Sequence, residues 1–311
     1  MTQLLKSISN VNLAFGGAAI SGEGAGYGFG DISEIDAIDL LAMAYDYGIR
    51  VFDTAPIYGF GLSERRMGKA FKKMREKVFL VSKSGVTWNE NKRVDMTNNP
   101  ITTLKMLEQS LRDLDSEYID LYMIHWPDAL VDIRRPLEVL FKAQQEGKIK
   151  HIGLCNTNLE DLEKSKEIAR IEVVQSEFNL FHHSQKDILF PYLLEHDISF
   201  MSWGTLDKGI LTNRVDEKRK FEASDCRSWA SWWKSANNTP KYLAMKKITP
   251  LLNAYGHTPL ELALAYNLSF KEVSSLLCGA KNKEQLHSLF KALENLPSKE
   301  VIDEMVGLAK V

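Results

Sequence analysis

Residues 119–125 read IDLYMIH, an apolar run that ends in a histidine. Apolar residues then recur at helical spacing, for example at Leu137 and Leu140, until Gly147. Residues 149–155 (IKHIGLC) form a second run rich in apolar and β-branched residues. Runs that are apolar at nearly every position are typical of strands buried on both faces of a parallel sheet. The stretch therefore predicts a strand, a helix and a second, parallel strand.

The same alternation extends along the whole chain. Eight such runs precede segments of helical periodicity, at residues 13–17, 50–53, 78–83, 119–125, 149–155, 171–176, 198–203 and 273–278. Strand and helix repeated eight times predicts an α/β fold, the parallel (β/α)8 TIM barrel. A doubly wound open sheet has the same alternation, but its first strand should be followed directly by Gly-x-Gly-x-x-Gly. Residues 24–30 (GAGYGFG) have glycine at every second position instead and lie well past the first strand.

The chain has 311 residues, which suits either one large domain or two of medium size. No change in composition and no linker rich in proline, glycine or serine divides it. We therefore expect a single barrel domain over residues 1–311. The surplus over the barrel itself is expected in a C-terminal helix and in a long loop after strand seven, residues 212–241.

Composition excludes several classes of protein. Hydrophobic residues make up 44% and charged residues 26%, and 39 basic against 41 acidic side chains give a net charge of -2. The basic excess that nucleic acids or anionic membranes would require is absent, and no run approaches the roughly 18 apolar residues of a membrane helix. The three cysteines, Cys155, Cys226 and Cys278, have no spacing typical of a disulfide framework or a zinc ribbon. We expect a cytoplasmic protein with no metal site, no nucleic-acid partner and no membrane partner.

Ionisable residues stand where the second, third and fourth predicted strands end. Asp53, Lys83 and His125 end these strands, and Tyr58 follows Asp53 by five residues. The C-terminal strand ends of a parallel barrel form its active-site face, so the four side chains should converge on one mouth. Each alone has an ordinary structural explanation, as a helix cap, a packing aromatic, a surface charge or a core histidine. Four such groups on three adjacent strand ends favour a shared site.

These residues lie in motifs that resemble those of the aldo-keto reductases, in particular their bacterial-type NADPH-dependent branch. The motifs are residues 48–59 (GIRVFDTAPIYG) followed by Ser63 and Glu64, then 81–83 (VSK), 118–127 (YIDLYMIHWP), 147–153 (GKIKHIG), 175–179 (QSEFN) and 279–281 (GAK). The resemblance runs in order from about Leu13 to Ala292. It implies a TIM barrel and the reduction of an aldehyde or ketone, a small-molecule carbonyl substrate. The implied cofactor is NADPH, with NADH not excluded.

The resemblance implies that Asp53, Tyr58, Lys83 and His125 are catalytic. Reduction of a carbonyl leaves an alkoxide that needs a proton donor, and Tyr58 matches the family's acid. A free tyrosine has a pKa of about 10, and we expect the Lys83 ammonium to lower it. Asp53 would keep Lys83 charged, and a neutral His125 would orient the carbonyl by donating a hydrogen bond.

The resemblance also implies cofactor contacts at the ends of strands five to eight. Asn156 and Gln175 match positions that bind the nicotinamide carboxamide, and Trp203 matches an aromatic that stacks on the nicotinamide ring. Residues 204–209 (GTLDKG) match the loop around the pyrophosphate, and Lys281 matches the contact to the adenosine 2′-phosphate, which favours NADPH. The full set of implied cofactor residues is Gly17, Asp53, Asn156, Gln175, Trp203, Gly204, Leu206, Lys208, Gly209, Gly279, Lys281, Asn282 and Gln285.

The sequence departs from the family pattern at some cofactor positions. Cys155 stands where serine is usual, and Cys278 replaces a common proline. Ser288 and Leu289 occupy places where glutamate and asparagine often hold the adenine. A thiol is a weaker donor than a hydroxyl, which weakens the implied contact of Cys155 to the carboxamide. Because of Ser288 and Leu289, the adenine contacts and the cofactor preference are less well defined by sequence than the catalytic residues.

Tryptophans are predicted to line the substrate pocket. Trp88 follows the catalytic lysine and Trp126 follows the histidine. An aromatic wall would exclude water and suit a moderately apolar or planar carbonyl compound. The predicted loop at residues 212–241 carries three more, for which helix packing is an equal alternative: Trp229, Trp232 and Trp233.

Two other functions fit parts of the pattern. A lysine at the end of a barrel strand is also the nucleophile of Schiff-base aldolases, but pairing with Asp53 would keep Lys83 protonated and non-nucleophilic. The sequence is also similar to potassium-channel β subunits, which bind the cofactor and act mainly as regulators. Nothing in the sequence marks a channel-binding interface, and we expect a monomer or a weak homo-oligomer.

Overall fold

Eight strands close into a parallel barrel in this computed structural model, which describes residues 3–22, 27–230, 233 and 238–310. The described strands are β1 (Leu13–Gly16), β2 (Val51–Asp53), β3 (Phe79–Ser84), β4 (Val86–Trp88), β5 (Val94–Met96), β6 (Ile119–Ile124), β7 (Ile149–Cys155), β8 (Val173–Glu177), β9 (Ser199–Trp203) and β10 (Val273–Cys278). All except β4 and β5 belong to the barrel, and β10 pairs with β1 to close it. The predicted TIM barrel is confirmed, and each of the eight predicted runs overlaps one barrel strand.

Helices separate the strands around the outside. The described helices are α1 (Leu4–Ile8), α2 (Glu34–Asp46), α3 (Leu62–Phe71), α4 (Pro100–Asp113), α5 (Arg134–Gln145), α6 (Leu159–Ser165), α7 (Lys186–Glu195), α8 (Asn238–Ala254), α9 (Pro259–Leu268), α10 (Lys283–Leu293) and α11 (Lys299–Leu308). Side chains cap several N-termini; Ser33 accepts from Asp36 N, and Asn99 accepts from Thr102 N. Such caps satisfy N–H groups that the first turn leaves free. A bilayer crossing would need a longer and more apolar helix than any in the described part of the chain.

The barrel interior explains where the polar strand ends point. Val51, Val81, Met123, Val173 and Met201 belong to one buried cluster inside the barrel. Side chains alternate along a strand, so the residue two positions later lies on the same inward face, at the C-terminal rim. The residues at that position are Asp53, Lys83, His125, Gln175 and Trp203.

The opposite end of the barrel is closed by α1. Leu5 joins the interior cluster, and its backbone N–H donates to Ser199 Oγ at 3.1 Å. Gln3 Nε2 donates to the backbone oxygen of Ile198 at 3.0 Å. The C-terminal rim is therefore the end at which a site can form.

Two segments depart from the repeating unit. β4 and β5 pair as an antiparallel hairpin between β3 and α4, which the sequence analysis did not predict. The predicted loop at residues 212–241 ends too late, because α8 begins at Asn238 and contains Lys241. Pro240 lies in the first turn of α8, where proline leaves no hydrogen bond unmade. Residues 24–26 and Trp232, named in the sequence analysis, lie outside the described residues.

Candidate active site

Lys83 lies fully buried beneath the rim and is held by three acceptors. Its Nζ donates to both carboxylate oxygens of Asp53 at 2.7 Å and to the backbone oxygen of Thr54 at 2.9 Å. Burial opposes the charge most strongly, but Asp53 and smaller neighbouring contributions outweigh it and raise the pKa of Lys83 above its ordinary value. Lys83 is therefore a fixed cation whose three N–H bonds are all in use.

Tyr58 lies in a tight loop between β2 and α3. The three residues that follow it all have positive φ, between 52° and 85°. Gly59 is required here, because a Cβ at this position would also lie 2.4 Å from the backbone oxygen of Ser21. The loop brings Tyr58 back to the rim, where its ring centroid lies 5.5 Å from Lys83 Nζ.

The pKa of Tyr58 is raised to about 12. Burial is the largest cause; the Lys83 ammonium lowers the pKa by less, and the Asp53 carboxylate raises it. Lys83 lowers the pKa of Tyr58 as expected, but burial, which disfavours a phenolate, outweighs this effect, and Asp53 opposes it as well. Near neutral pH, Tyr58 is a protonated phenol that can donate a hydrogen bond or a proton.

His125 follows β6 directly, and its ring lies edge-on to that of Tyr58 with the two centroids 6.0 Å apart. Burial lowers the pKa of His125 well below its ordinary value of 6.5, and Lys83 lowers it further. The ring is neutral near neutral pH, with one nitrogen as donor and the other as acceptor. The structure thus brings Asp53, Tyr58, Lys83 and His125 together at one end of the barrel.

The predicted amide pair and Trp203 adjoin these residues through side-chain hydrogen bonds. Gln175 Nε2 donates to Asp53 Oδ2 at 2.8 Å. Asn156 Nδ2 donates to the backbone oxygen of His125 at 2.9 Å and Asn156 Oδ1 accepts from Trp203 Nε1 at 3.0 Å. These hydrogen bonds fix the orientations of Asn156, Gln175 and Trp203 at the C-terminal rim.

The loop after β9 has an unusual backbone. Gly204, Asp207, Lys208 and Gly209 have φ values of 66°, 42°, 54° and 101°. Turns with successive left-handed residues can point backbone N–H groups to one side, where they bind anions. Lys208 Nζ pairs with Glu177 Oε1 and lies 3.7 Å from Asp207 Oδ1. Sequence reasoning missed this pairing, because Glu177 belongs to a different strand.

The segment after β10 forms a second part of the predicted cofactor site. Lys281 N donates to Gln285 Oε1 at 2.9 Å, and the Asn282 side chain caps α10 by accepting from Gln285 N at 2.8 Å. Burial lowers the pKa of the Lys281 ammonium. Gly279 packs tightly, since a Cβ there would lie 2.7 Å from Ala19 Cβ.

A cavity of about 1650 Å³ opens above the rim. Its lining extends from Tyr58, His125 and Trp126, along the loop after β9, to Lys281 and Gln285. A single small ligand usually fills roughly 300–1,000 Å³. The cavity therefore has room for an extended ligand and a second, smaller one.

Several predicted residues lie outside this lining. Asp53 and Lys83 lie beneath it, and Asn282 acts as the helix cap. Gly17 packs against the strand ends, since a Cβ there would lie 2.6 Å from the backbone oxygen of Asp53. Trp88 packs its ring against Phe60, with centroids 4.9 Å apart. Of the two predicted pocket tryptophans, only Trp126 lines the cavity.

The two loop tryptophans that lie among the described residues both make ring contacts. Trp229 lies 5.5 Å from Tyr27 between ring centroids, and Trp233 lies 5.7 Å from Phe221. Trp233 also lines the cavity. The contact between Trp229 and Tyr27 joins the loop after β9 to the segment that follows β1.

One cluster near the loop after β9 has ligand types that metals use. Atoms of Glu177, His182 and Asp207 lie within 4.8 Å of one another. Lysines already bind these atoms: Lys241 Nζ is 2.7 Å from Asp207 Oδ2 and 2.8 Å from His182 Nε2, and Lys208 pairs with Glu177. The two ammonium groups neutralise the two carboxylates, so the cluster is a network of ion pairs.

Comparison with known proteins places this site in a family. The model of the aldo/keto reductase family matches residues 12–310. The aldo-keto reductase YhdN of Bacillus subtilis is 32% identical over 84% of this chain and 80% of its own length. An NADH-specific methylglyoxal reductase of Escherichia coli is 28% identical over 85% of this chain and 84% of its own length.

A solved structure agrees in fold. The glycerol dehydrogenase of Gluconobacter oxydans superposes with a TM-score of 0.82 and 28% identity, covering 96% of this chain and 92% of the other. Together with the closed barrel and the match of the family model, this shows that the chain belongs to the aldo/keto reductase family, oxidoreductases that act on carbonyl groups with nicotinamide cofactors.

Proposed function

We propose that this protein reduces an aldehyde or ketone to the alcohol with NADPH, and that Tyr58 is the general acid. The observation that carries the proposal is the buried pair of Asp53 and Lys83 beside Tyr58 and a neutral His125, at the floor of a large cavity. Bound reduced nicotinamide supplies the hydride. The protein's own residues supply the proton and hold the carbonyl.

Tyr58 suits the role of proton donor. Its raised pKa keeps it protonated near neutral pH, so the proton is present when the carbonyl oxygen gains negative charge. As the proton leaves, the phenolate forms near the Lys83 ammonium, which attracts it. The neutral His125 can donate one N–H to the same oxygen and so fix the orientation of the carbonyl.

The cofactor residues also fit a nicotinamide dinucleotide. Asn156, Gln175 and Trp203 line the cavity beside Tyr58, with amide and aromatic groups that match a carboxamide and a ring. The left-handed turn around Lys208 can present N–H groups to a pyrophosphate. Lys281 would bind the adenosine 2′-phosphate. We propose that Lys281 makes NADPH the preferred cofactor, with NADH not excluded.

The substrate side of the cavity is apolar around Tyr58. Ile57, Val86 and Trp126 line it and belong to one cluster with Tyr58. Such a wall suits a small, moderately apolar or planar carbonyl compound. We further propose that residues 1–311 act as one barrel domain, as a monomer or weak homo-oligomer in the cytoplasm, without nucleic-acid or membrane partners.

The bonding of Lys83 supports reduction over Schiff-base chemistry. An aldolase lysine must lose its proton to attack a carbonyl. Here all three N–H bonds of Lys83 are used, and Asp53 raises its pKa. Lys83 is therefore poorly suited to act as a nucleophile.

The test is turnover of NADPH and NADH with a panel of aromatic and aliphatic aldehydes and ketones, followed by nicotinamide absorbance. We expect turnover, faster with NADPH, and a loss of about 10³-fold or more in kcat for Tyr58→Phe, because the proton donor is removed. Cofactor affinity of this variant should change little. Cofactor binding without turnover on any substrate would favour a regulatory protein, and an active Tyr58→Phe would refute the assignment of the acid.

A further inference from the structure

Three polar side chains at the start of α3 are buried against the barrel. Ser63, Glu64 and Arg66 are at most 2% exposed. Helix α3 follows the Tyr58 loop directly, and Ser63 N donates to the backbone oxygen of Tyr58 at 3.2 Å. Any shift of the first turn of α3 therefore moves Tyr58.

Ser63 attaches this turn to the strand ends that flank Asp53. Its Oγ accepts from Thr54 Oγ1 at 2.8 Å and donates to the backbone oxygen of Gly17 at 3.0 Å. The backbone oxygen of Thr54 in turn accepts from Lys83. Ser63 thus fixes α3 relative to β1 and β2.

Glu64 attaches the same turn to β3. Its Oε1 accepts from Ser82 Oγ at 2.7 Å. Successive side chains on a strand point to opposite faces, so Ser82 faces α3 while Lys83 faces the barrel interior. The bond from Ser82 to Glu64 therefore joins the strand of Lys83 to the helix that follows Tyr58.

The surroundings of Glu64 do not explain it as a stabilising ion pair. Its Oε2 is buried without a hydrogen-bond partner, and among the described residues no lysine or arginine forms a salt bridge with it. The charged groups that face it are Asp113 of α4 and Arg65 of its own helix, and the polar neighbours are hydroxyls of Ser110 and Tyr122. A buried carboxyl with one partner costs stability that an apolar side chain would not.

We propose that Glu64 is a positioning residue, whose hydrogen bond to Ser82 sets the placement of Tyr58 relative to Lys83. The inference rests on the proposed function, since it concerns the efficiency of proton transfer from Tyr58. Misplacement of a catalytic group by about 1 Å can cost on the order of 100-fold in rate. Glu64 acts through Tyr58 and touches neither substrate nor cofactor.

The experiment compares single-turnover rates at saturating cofactor and carbonyl in Glu64→Ala, Ser82→Ala, the double variant and Glu64→Gln. We expect each alanine variant to lose about tenfold in rate, with carbonyl KM and cofactor affinity within about twofold. The double variant should be no slower than either single variant, because both remove the same bond. Glu64→Gln keeps an acceptor oxygen for Ser82 and should retain most of the rate.

The matched control is Ser165→Ala on α6. Ser165 is also buried, and its Oγ donates to the backbone oxygen of Leu162 at 2.7 Å, far from the site in sequence. It should lose stability without loss of rate. If Ser82→Ala behaves in the same way, the positioning role is refuted.

A structural measurement separates this inference from the proposed function. In crystals of Glu64→Ala, or of Ser82→Ala if the former does not fold, the distance from the Tyr58 ring centroid to Lys83 Nζ should change from 5.5 Å by on the order of 1 Å. An unchanged distance refutes the positioning role even if the wild-type protein reduces no carbonyl. Absence of wild-type turnover alone refutes the proposed function.

Discussion

Replacing Glu64 with glutamine removes an ionisable group from the buried polar cluster behind β3 and should make the stability of the protein less sensitive to pH. Burial raises the pKa of Glu64 from 4.5 to about 7, while Ser82 and Ser110 lower it by less. The folded chain therefore holds a proton that the unfolded chain releases between these two values. As pH rises through this window, the wild-type protein loses stability, because the unfolded chain releases the Glu64 proton at a lower pH than the folded chain does.

The size of the effect follows from the shift. A difference between 4.5 and about 7 corresponds to about 3 kcal/mol of unfolding free energy, nearly all of it lost between about pH 4.5 and pH 8. Glu64 is fully buried, so solvent screening does not reduce this value. Glutamine has nearly the same shape and no charge, so Glu64→Gln should match the wild type within about 1 kcal/mol near pH 4.5 and exceed it by about 3 kcal/mol near pH 8.

Urea unfolding of both proteins at several pH values measures the difference, in which other titrating groups cancel. Glu34→Gln is the control. Glu34 is exposed, and its hydrogen bond with Lys69 lowers its pKa, so its contribution is lost as pH falls and not as pH rises. A difference between Glu64→Gln and the wild type that stays constant over the pH range would show that Glu64 is ionised normally and refute the reasoning.

Two further predictions concern the predicted cofactor and catalytic residues. Lys281→Met should raise the Kd of NADPH by about tenfold or more and leave the Kd of NADH within twofold, because only NADPH has the 2′-phosphate. Quenching of protein fluorescence measures both constants. Equal losses of affinity for the two cofactors would contradict the role of Lys281 in binding the 2′-phosphate. Asp53→Asn should cost about 3–5 kcal/mol in urea unfolding, because it leaves Lys83 buried without its counter-charge. In the control Asp113→Asn, the lost partner Arg65 has a side chain that is 45% exposed, so the variant should cost less than about 1 kcal/mol. Equal costs for the two variants would show that burial does not make the pair of Asp53 and Lys83 more important for stability.

The barrel and the meeting of four site residues could be predicted because both follow from local periodicity. Apolar runs identify the strands, and the alternation of side chains carries Val51 to Asp53 and Val81 to Lys83 on the inward face. Tyr58 needs one more step, the short loop after β2, whose glycines already suggest a tight turn.

The features that could not be predicted depend on burial or on contacts between residues that are distant in the chain. The pKa of Tyr58 is set by the balance of burial against two neighbouring charges, and burial is a property of the folded protein. Trp88 lies on a hairpin whose pairing directs it toward Phe60. Glu64 follows the motif of residues 48–59, but only the structure shows that its hydrogen-bond partner is Ser82.

The distribution of charge in the cavity sharpens the cofactor argument. Lys208 lies in the loop that is predicted to surround the pyrophosphate, but its ammonium pairs with Glu177. Its loop would then hold a pyrophosphate mainly through backbone N–H groups in the left-handed turn. Among the described hydrogen bonds and salt bridges none uses Lys281 Nζ. Burial lowers the pKa of this ammonium, and Asp225 and Asp31 raise it by less. The ammonium most available to a phosphate therefore lies at the adenosine end of the cavity, which is why discrimination between NADPH and NADH should depend on Lys281 more than on Lys208.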